Sequence, residues 1–189
     1  DISHIDLYSC FPSAVEIACA EMGIPLDDPR GLTITGGLPY FGGPGNNYVT
    51  HSIAEMMSRV RGKPGSFGLV TANGNYVTKQ SAGIYSTTPA RKIFAPRDPM
   101  LYQAEIDADH GPVVAEVAEG SATIETYTVM HDRKGPSYSV LFGRLGDGRR
   151  FMANTPEDAT LLADMATRDY LGARGRVQHA DGVNIFVPD

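Results

Sequence analysis

Between Thr33 and Asn47 the chain reads Thr-Ile-Thr-Gly-Gly-Leu-Pro-Tyr-Phe-Gly-Gly-Pro-Gly-Asn-Asn, with five glycines in the ten positions from Gly36 to Gly45. No regular element is expected at that density. Glycine loses the most conformational freedom on ordering and brings no side chain to pack. The segment reads as an irregular loop whose backbone comes close to another group. Helical patterns flank it. Pro12 to Met22 predicts a helix, with Pro12 at its first position and Gly23 as its stop. Only Ser13, Glu16 and Glu21 are polar in it, which predicts burial against a large surface. On the other side, Asn46 or Asn47 predicts an N-cap. Val49, Ile53, Met56 and Val60 then fall on one helical stripe. Ile5 to Cys10 alternates loosely, as a strand would. Phe67 to Ala72 and Tyr76 to Thr87 read as two strands, with Asn73-Gly74 as the hairpin signal and the following Asn75 leaving the exact turn open.

The pattern changes in the second half. From Thr88 to His110 there is no clear period, and Pro89, Pro96 and Pro99 interrupt the chain, which predicts a linker. After Pro112 the apolar residues alternate. Strands are predicted over 122–129, 138–145, 150–153, 173–178 and 183–187. The turns fall at Gly135-Pro136, Gly146-Asp147-Gly148 and Asp181-Gly182. Between the third and fourth of these strands, Thr155 predicts a helix cap with Pro156 behind it, and Leu161, Leu162 and Met165 form the apolar side. The order β-β-β-α-β-β is that of a five-stranded OB-type barrel. The expected fold is therefore an α/β piece over 1–89, a linker over 90–112 and a small OB-like β-barrel over 113–189.

Composition narrows the function. The 189 residues are 42% apolar and 20% charged, enough for a packed core. Lys and Arg number 16 against 22 Asp and Glu, a net charge of −6. That balance argues against a nucleic-acid partner. Arg144, Arg149, Arg150, Arg174 and Arg176 read as solvated barrel edges. Cys10 and Cys19 lie too awkwardly for a disulfide, so reduced thiols and a cytoplasmic protein are expected. No apolar run reaches the ~18 residues of a membrane helix. The first residue is Asp1 rather than Met, so a fragment or processed chain is expected.

A glycine-rich loop leading into a helix offers free N–H groups to an anion or a developing oxyanion. No Gly-Lys-Ser/Thr follows, so it is not a nucleotide-phosphate loop of the Walker kind. His51, in the first turn of the second helix, could face the loop as an acid-base group or simply be solvated. Cys10, just ahead of a helix start, reads as a small core residue or, less simply, a nucleophile. The five histidines and two cysteines show no metal-ligand spacing, so no metal is expected.

Residues 1–89 resemble the C-terminal half of a thiolase, of the sterol-carrier-protein-x and acetyl-CoA acetyltransferase-like type. The carriers are Asp6-Leu7-Tyr8-Ser9-Cys10-Phe11, Thr35-Gly36-Gly37-Leu38, Gly42-Gly43-Pro44-Gly45-Asn46-Asn47 and Gly68-Leu69-Val70-Thr71-Ala72-Asn73-Gly74. Residues from about 113 resemble the additional C-terminal domain of thiolase-like proteins. The resemblance implies half of an αβαβα fold with a mixed sheet and packed helices. It also implies a substrate loop formed by Gly36, Gly37, Gly42, Gly45, Asn46 and Asn47. Thiolase chemistry uses a nucleophilic Cys from the N-terminal half, an activating His and a second Cys as acid-base. Where the family's His-Asp-Cys-Phe motif opens with His, this chain has Tyr8. Where Gly-His-Pro supplies the activating imidazole, it has Gly43. Where Cys-x-Gly supplies the second thiol, it has Ala72 followed by Asn73. Tyr8, Asn46, His51 and Asn73 are the polar groups left to improvise. The resemblance thus implies CoA or acyl-CoA as ligand, with catalysis altered or lost and no further cofactor. The expected partners are the thiolase N-terminal half or a second copy. An alternative is a non-catalytic acyl-CoA-binding or protein-interaction module that uses the OB-like domain.

Overall fold

A computed structural model of the chain describes residues 1–91 and 95–189. They form two compact units, Asp1–Pro96 and Arg97–Asp189.

The first unit opens with β1 (Ile2–Asp6), followed by α1 (Pro12–Met22), α2 (Leu38–Phe41), α3 (Tyr48–Gly62), β2 (Phe67–Gly74) and β3 (Lys79–Ser86). The sheet is mixed. β2 lies in the middle, parallel to β1 and antiparallel to β3. On α3 the inward face is Tyr48, Ser52, Met56 and Val60, with Val49 and Ile53 at its margin. Met56 and Val60 pack on Val70 and Ile34. Gly68 makes this possible: a Cβ there would lie 2.0 Å from Met56 Sδ. A second cluster joins Ile5 and Leu7 to Cys19 of α1.

Four local expectations change in this unit. β1 spans Ile2–Asp6 rather than 5–10, because Leu7 already turns away to donate its N–H to the Leu32 carbonyl at 2.9 Å. The hairpin turn is not Asn73-Gly74. Those residues pair with Gln80 and Lys79, and the chain reverses through Asn75, Tyr76 and Val77, all at positive φ. The glycine segment holds one helical turn, α2, whose Tyr40 and Phe41 N–H groups bond the Gly37 carbonyl. Helix α1 keeps its expected bounds, with Pro12 at the start and Gly23 at φ 63 as its cap. It is only part-covered, though: Ala14 and Cys19 are buried while Ile17 is 48% exposed.

The second unit comprises α4 (Pro99–Asp107), β4 (Gly120–Asp132), β5 (Gly135–Leu145), β6 (Arg150–Asn154), α5 (Ala159–Met165), β7 (Arg174–Ala180) and β8 (Val183–Pro188). Its strands close in the order β4-β5-β6-β8-β7, with α5 between the third and fourth in sequence. This is the expected OB-like arrangement. Ile124, Leu141, Phe151, Val177 and Phe186 fill the interior, and Met165 packs against them. Gly175 is required by this packing, since a Cβ would meet the Val187 carbonyl at 2.2 Å.

The stretch expected as linker, 90–112, of which 92–94 lie outside the described residues, carries helix α4, capped by Asp98 Oδ1, which accepts the Met100 N–H at 2.9 Å. Two expectations change here too. Gly135 and Pro136 do not form the turn. They already belong to β5, opposite Asp132 and His131. Thr155 does not cap α5; its hydroxyl is buried without a partner. Asp158 caps instead, accepting the N–H groups of Thr160 at 2.8 Å and Leu161 at 3.0 Å. Among the described residues no helix is long and apolar enough to cross a membrane.

Candidate functional site

The residues singled out in the first unit meet where the chain leaves β1. Tyr8 follows the strand and donates its backbone N–H to Thr71 Oγ1 of β2 at 2.9 Å. Its ring stands edge-on to Tyr48 of α3, with centroids 5.5 Å apart. Burial pushes the Tyr8 phenol above its ordinary value, and the neighbouring Cys10 and Tyr48 add to that shift. Ser9 Oγ accepts the Leu38 N–H at 2.9 Å, which ties this segment to the Gly36-Gly37 turn. Cys10 Sγ accepts from Asn73 Nδ2 at 3.3 Å, and Asn73 Oδ1 accepts from Gln80 Nε2 at 3.4 Å.

Beneath these groups lies the anchor that sequence reasoning missed. Asp6 is fully buried. One carboxyl oxygen accepts from Thr33 Oγ1 at 3.2 Å and from the Ile34 N–H at 3.1 Å. The other accepts from the Tyr48 hydroxyl at 3.3 Å and Ser52 Oγ at 3.2 Å. The network reaches the loop itself: Thr35 Oγ1 lies 2.7 Å from the Tyr48 hydroxyl and accepts the Gly37 N–H at 3.2 Å. A buried carboxyl costs several kcal/mol unless its lone pairs are met, and here four donors meet them. The only sequence signal was an Asp between two apolar neighbours, Ile5 and Leu7.

The glycine loop is held in shape by that anchor. Gly36, Gly37, Gly42 and Gly45 all have positive φ, between 58 and 100, which side-chain-bearing residues rarely adopt. Gly43 is different. Its Cβ would touch Leu38 at 3.3 Å and Tyr48 at 3.5 Å, so any imidazole in its place must push Leu38 aside. Asn47 sits at the N-cap of α3, but its side chain does not cap. Its Oδ1 accepts from Thr50 Oγ1 at 2.6 Å, and both Asn46 and Asn47 are exposed.

His51 faces the glycine segment through Phe41, with ring centroids 5.3 Å apart. Its Nδ1 is buried without a partner, and it makes no hydrogen bond to Tyr8, Cys10 or Asn73 among the described residues. Ala72 lies on β2 opposite Ser81 and offers only a methyl group. The structure therefore gathers Tyr8, Ser9, Cys10, Asn73 and the Gly36-Gly37 turn by hydrogen bonds, while His51 meets the glycine segment only through Phe41. Chemically the site offers the Gly36 N–H, an amide and a hydrogen-bonded thiol, since the N–H groups of Tyr8, Gly37 and Leu38 are already taken by Thr71, Thr35 and Ser9; among the described residues no imidazole bonds that thiol. Next to it runs an apolar groove of about 560 Å³, walled by Ile17, Ala18 and Met22 of α1 and by Thr71, Val77 and Ala82 of the hairpin.

Residues 102–182 match the family described as thiolase-like protein type 1 additional C-terminal domain. The whole chain aligns with a solved structure, a monomeric SCP2-thiolase-like protein type 1 from Mycobacterium smegmatis. The two share 46% identity at a TM-score of 0.87. This chain belongs to the thiolase-like protein type 1 family. It spans 41% of that relative's length. No protein of curated function matches it. As a thiolase-like protein type 1 sequence it has the mixed sheet with its glycine loop and, after it, the barrel domain of that family.

Proposed function

We propose that this chain is part of a protein that binds CoA or an acyl-CoA thioester without carrying out thiolysis or Claisen condensation. One observation carries the proposal. The glycine loop is braced through Asp6 by four donors, while the positions where thiolases keep their acid-base groups hold Tyr8, Gly43 and Ala72. The N–H groups of Gly36, Gly43 and Gly45, which bond nothing among the described residues, still suit a thioester carbonyl or an anionic group. Proton transfer is another matter. A phenol pushed above its ordinary value is a poor base near neutral pH, and Gly43 and Ala72 have nothing to donate. Losing several members of one catalytic unit removes most of its rate, because such groups act together.

The open face of α1 and its apolar groove are where we place the other half of a thiolase-type fold. The relative's additional length is consistent with this.

The test pairs calorimetry with kinetics on the full-length protein that carries this chain. Saturable heat with CoA or acetyl-CoA is expected, with no cleavage of acetoacetyl-CoA above a thiol-blocked control. Turnover above that control, or no detectable binding, overturns the proposal.

A further inference from the structure

In the barrel unit, β7 and β4 run side by side with their outward residues in register: Arg176 opposite Ser121, and Arg174 opposite Thr123. Thr123 in turn faces Arg144 of β5. The result is a groove of about 500 Å³, floored by Ser121 and Thr123 and walled by arginines on both sides. Gly146 of the β5–β6 turn and Asp189 also line it.

The state of these charges is unequal. Arg144 is committed: Nε donates to Glu125 Oε1 at 2.7 Å, and Nη1 donates to the Gly148 carbonyl at 2.9 Å. Glu125 also accepts from Arg150, so two arginines share one carboxylate and a positive charge remains in excess. Arg174 and Arg176 are exposed. Among the described residues neither their guanidinium groups nor the hydroxyls of Ser121 and Thr123 make a hydrogen bond or ion pair. On a module whose net charge is negative, a local excess of cations without partners is not explained by solubility.

The chemistry selects among anions. Two residues apart on one strand face, Arg174 and Arg176 have Cα atoms about 6.6 Å apart. Their guanidinium forks and the two hydroxyls together offer more donors than the two oxygens of a carboxylate can accept. A phosphoryl group has three oxygens and a higher charge, and arginine forks match it. No aromatic side chain lines the groove, so a nucleobase has nothing to stack on. We propose that this groove binds a small phosphate-bearing molecule, a phosphate monoester or a diphosphate, through Arg174 and Arg176. Every group of this site belongs to the barrel unit; CoA carries phosphates of its own, so the double variant below, rather than CoA binding alone, separates this groove from the glycine-loop site.

The test is calorimetric titration of the full-length protein at low salt with inorganic pyrophosphate, ADP and a single-stranded oligothymidylate. Pyrophosphate and ADP are expected to bind within about threefold of each other, because only phosphate is read. The double variant Arg174→Ala/Arg176→Ala should weaken both at least tenfold, a loss of the size expected for charge-assisted bonds. The Lys/Lys variant should recover part of the loss, and Asp189→Asn should tighten binding. Circular dichroism shows that each variant is folded. No saturable pyrophosphate binding, or binding unchanged in the double alanine variant, overturns the proposal. Oligonucleotide binding that outcompetes pyrophosphate and strengthens with length also overturns it, in favour of a nucleic-acid surface.

Discussion

Two short apolar helices end in opposite situations. α5 lies against a closed barrel and buries Leu162 and Met165 almost completely. α1, longer and nearly as apolar, buries only Ala14 and Cys19, and it leaves Ile17 and Met22 facing an open groove. The difference follows from the sheets beneath them. A barrel has no free edge and encloses its own core, so one small helix can complete it. A three-stranded sheet encloses nothing, and one face of its helix stays bare until something else packs there. The first unit is braced by a buried carboxyl, Asp6, whereas the buried side-chain anchor of the barrel is the uncharged Asn184, bonded to the Ala118 N–H and the Glu116 and Met152 carbonyls.

The largest effect is expected where that anchor is removed. In Asp6→Ala four buried donors lose their acceptor at ~1–3 kcal/mol each, so about 4 kcal/mol or more of the first unit's stability should go. Denaturant unfolding followed by hydrogen exchange should show loss of protection in 1–91 and little change in the barrel. Equal loss in both units would erase the contrast. Next comes Leu162→Ala, a core truncation expected to cost about 2–5 kcal/mol in the barrel. Ile17→Ala sharpens the comparison. On this chain alone it should cost less than about 1 kcal/mol, because nearly half the residue is already in water. In the full-length protein it should cost about as much as Leu162→Ala, if the remaining half covers α1. A small cost in both settings would show that nothing packs there.

The smallest effect is a pH response. Arg30 beside Asp28 holds that carboxyl down at about 2, through bonds from its guanidinium at 2.7 and 2.8 Å and from its backbone N–H. A carboxyl lowered in the folded state stabilises the fold above its unfolded value. That contribution is lost as pH falls from about 4 towards 2. Arg30→Ala should return Asp28 to the ordinary carboxylate range in an NMR titration and flatten the acid limb of the stability curve. An unchanged Asp28 titration would contradict this.

Signals carried by neighbouring residues were legible in the sequence. Pro12 and Gly23 bound α1 because a fixed φ and a left-handed cap are properties of single residues. The barrel's strand order and half of the α3 stripe, Met56 and Val60, follow from short periods, whereas Tyr48 and Ser52 take the inward places expected of Val49 and Ile53. The glycine segment announced a special backbone, and its positive φ values supply the reason. What stayed hidden depends on distance. Asp6 bonds to partners 27 to 46 residues away, and no local pattern marks it. The cap of α5 falls at Asp158 rather than at Thr155, which is buried and whose hydroxyl bonds nothing among the described residues. The turn at Asn75–Val77 won over Asn73-Gly74 because the β2–β3 ladder gains two more pairs by running on to Gly74. Of the site, the glycine loop was visible, while the brace that ties it to Asp6 was not.

The most direct test is hydrogen exchange on the full-length protein with and without acetyl-CoA, read at the backbone amides of 33–47. Slower exchange across the glycine segment on adding acetyl-CoA, with no product formed, is the expected result. Unchanged exchange there at a concentration that saturates binding would contradict the assignment of this loop as the thioester site.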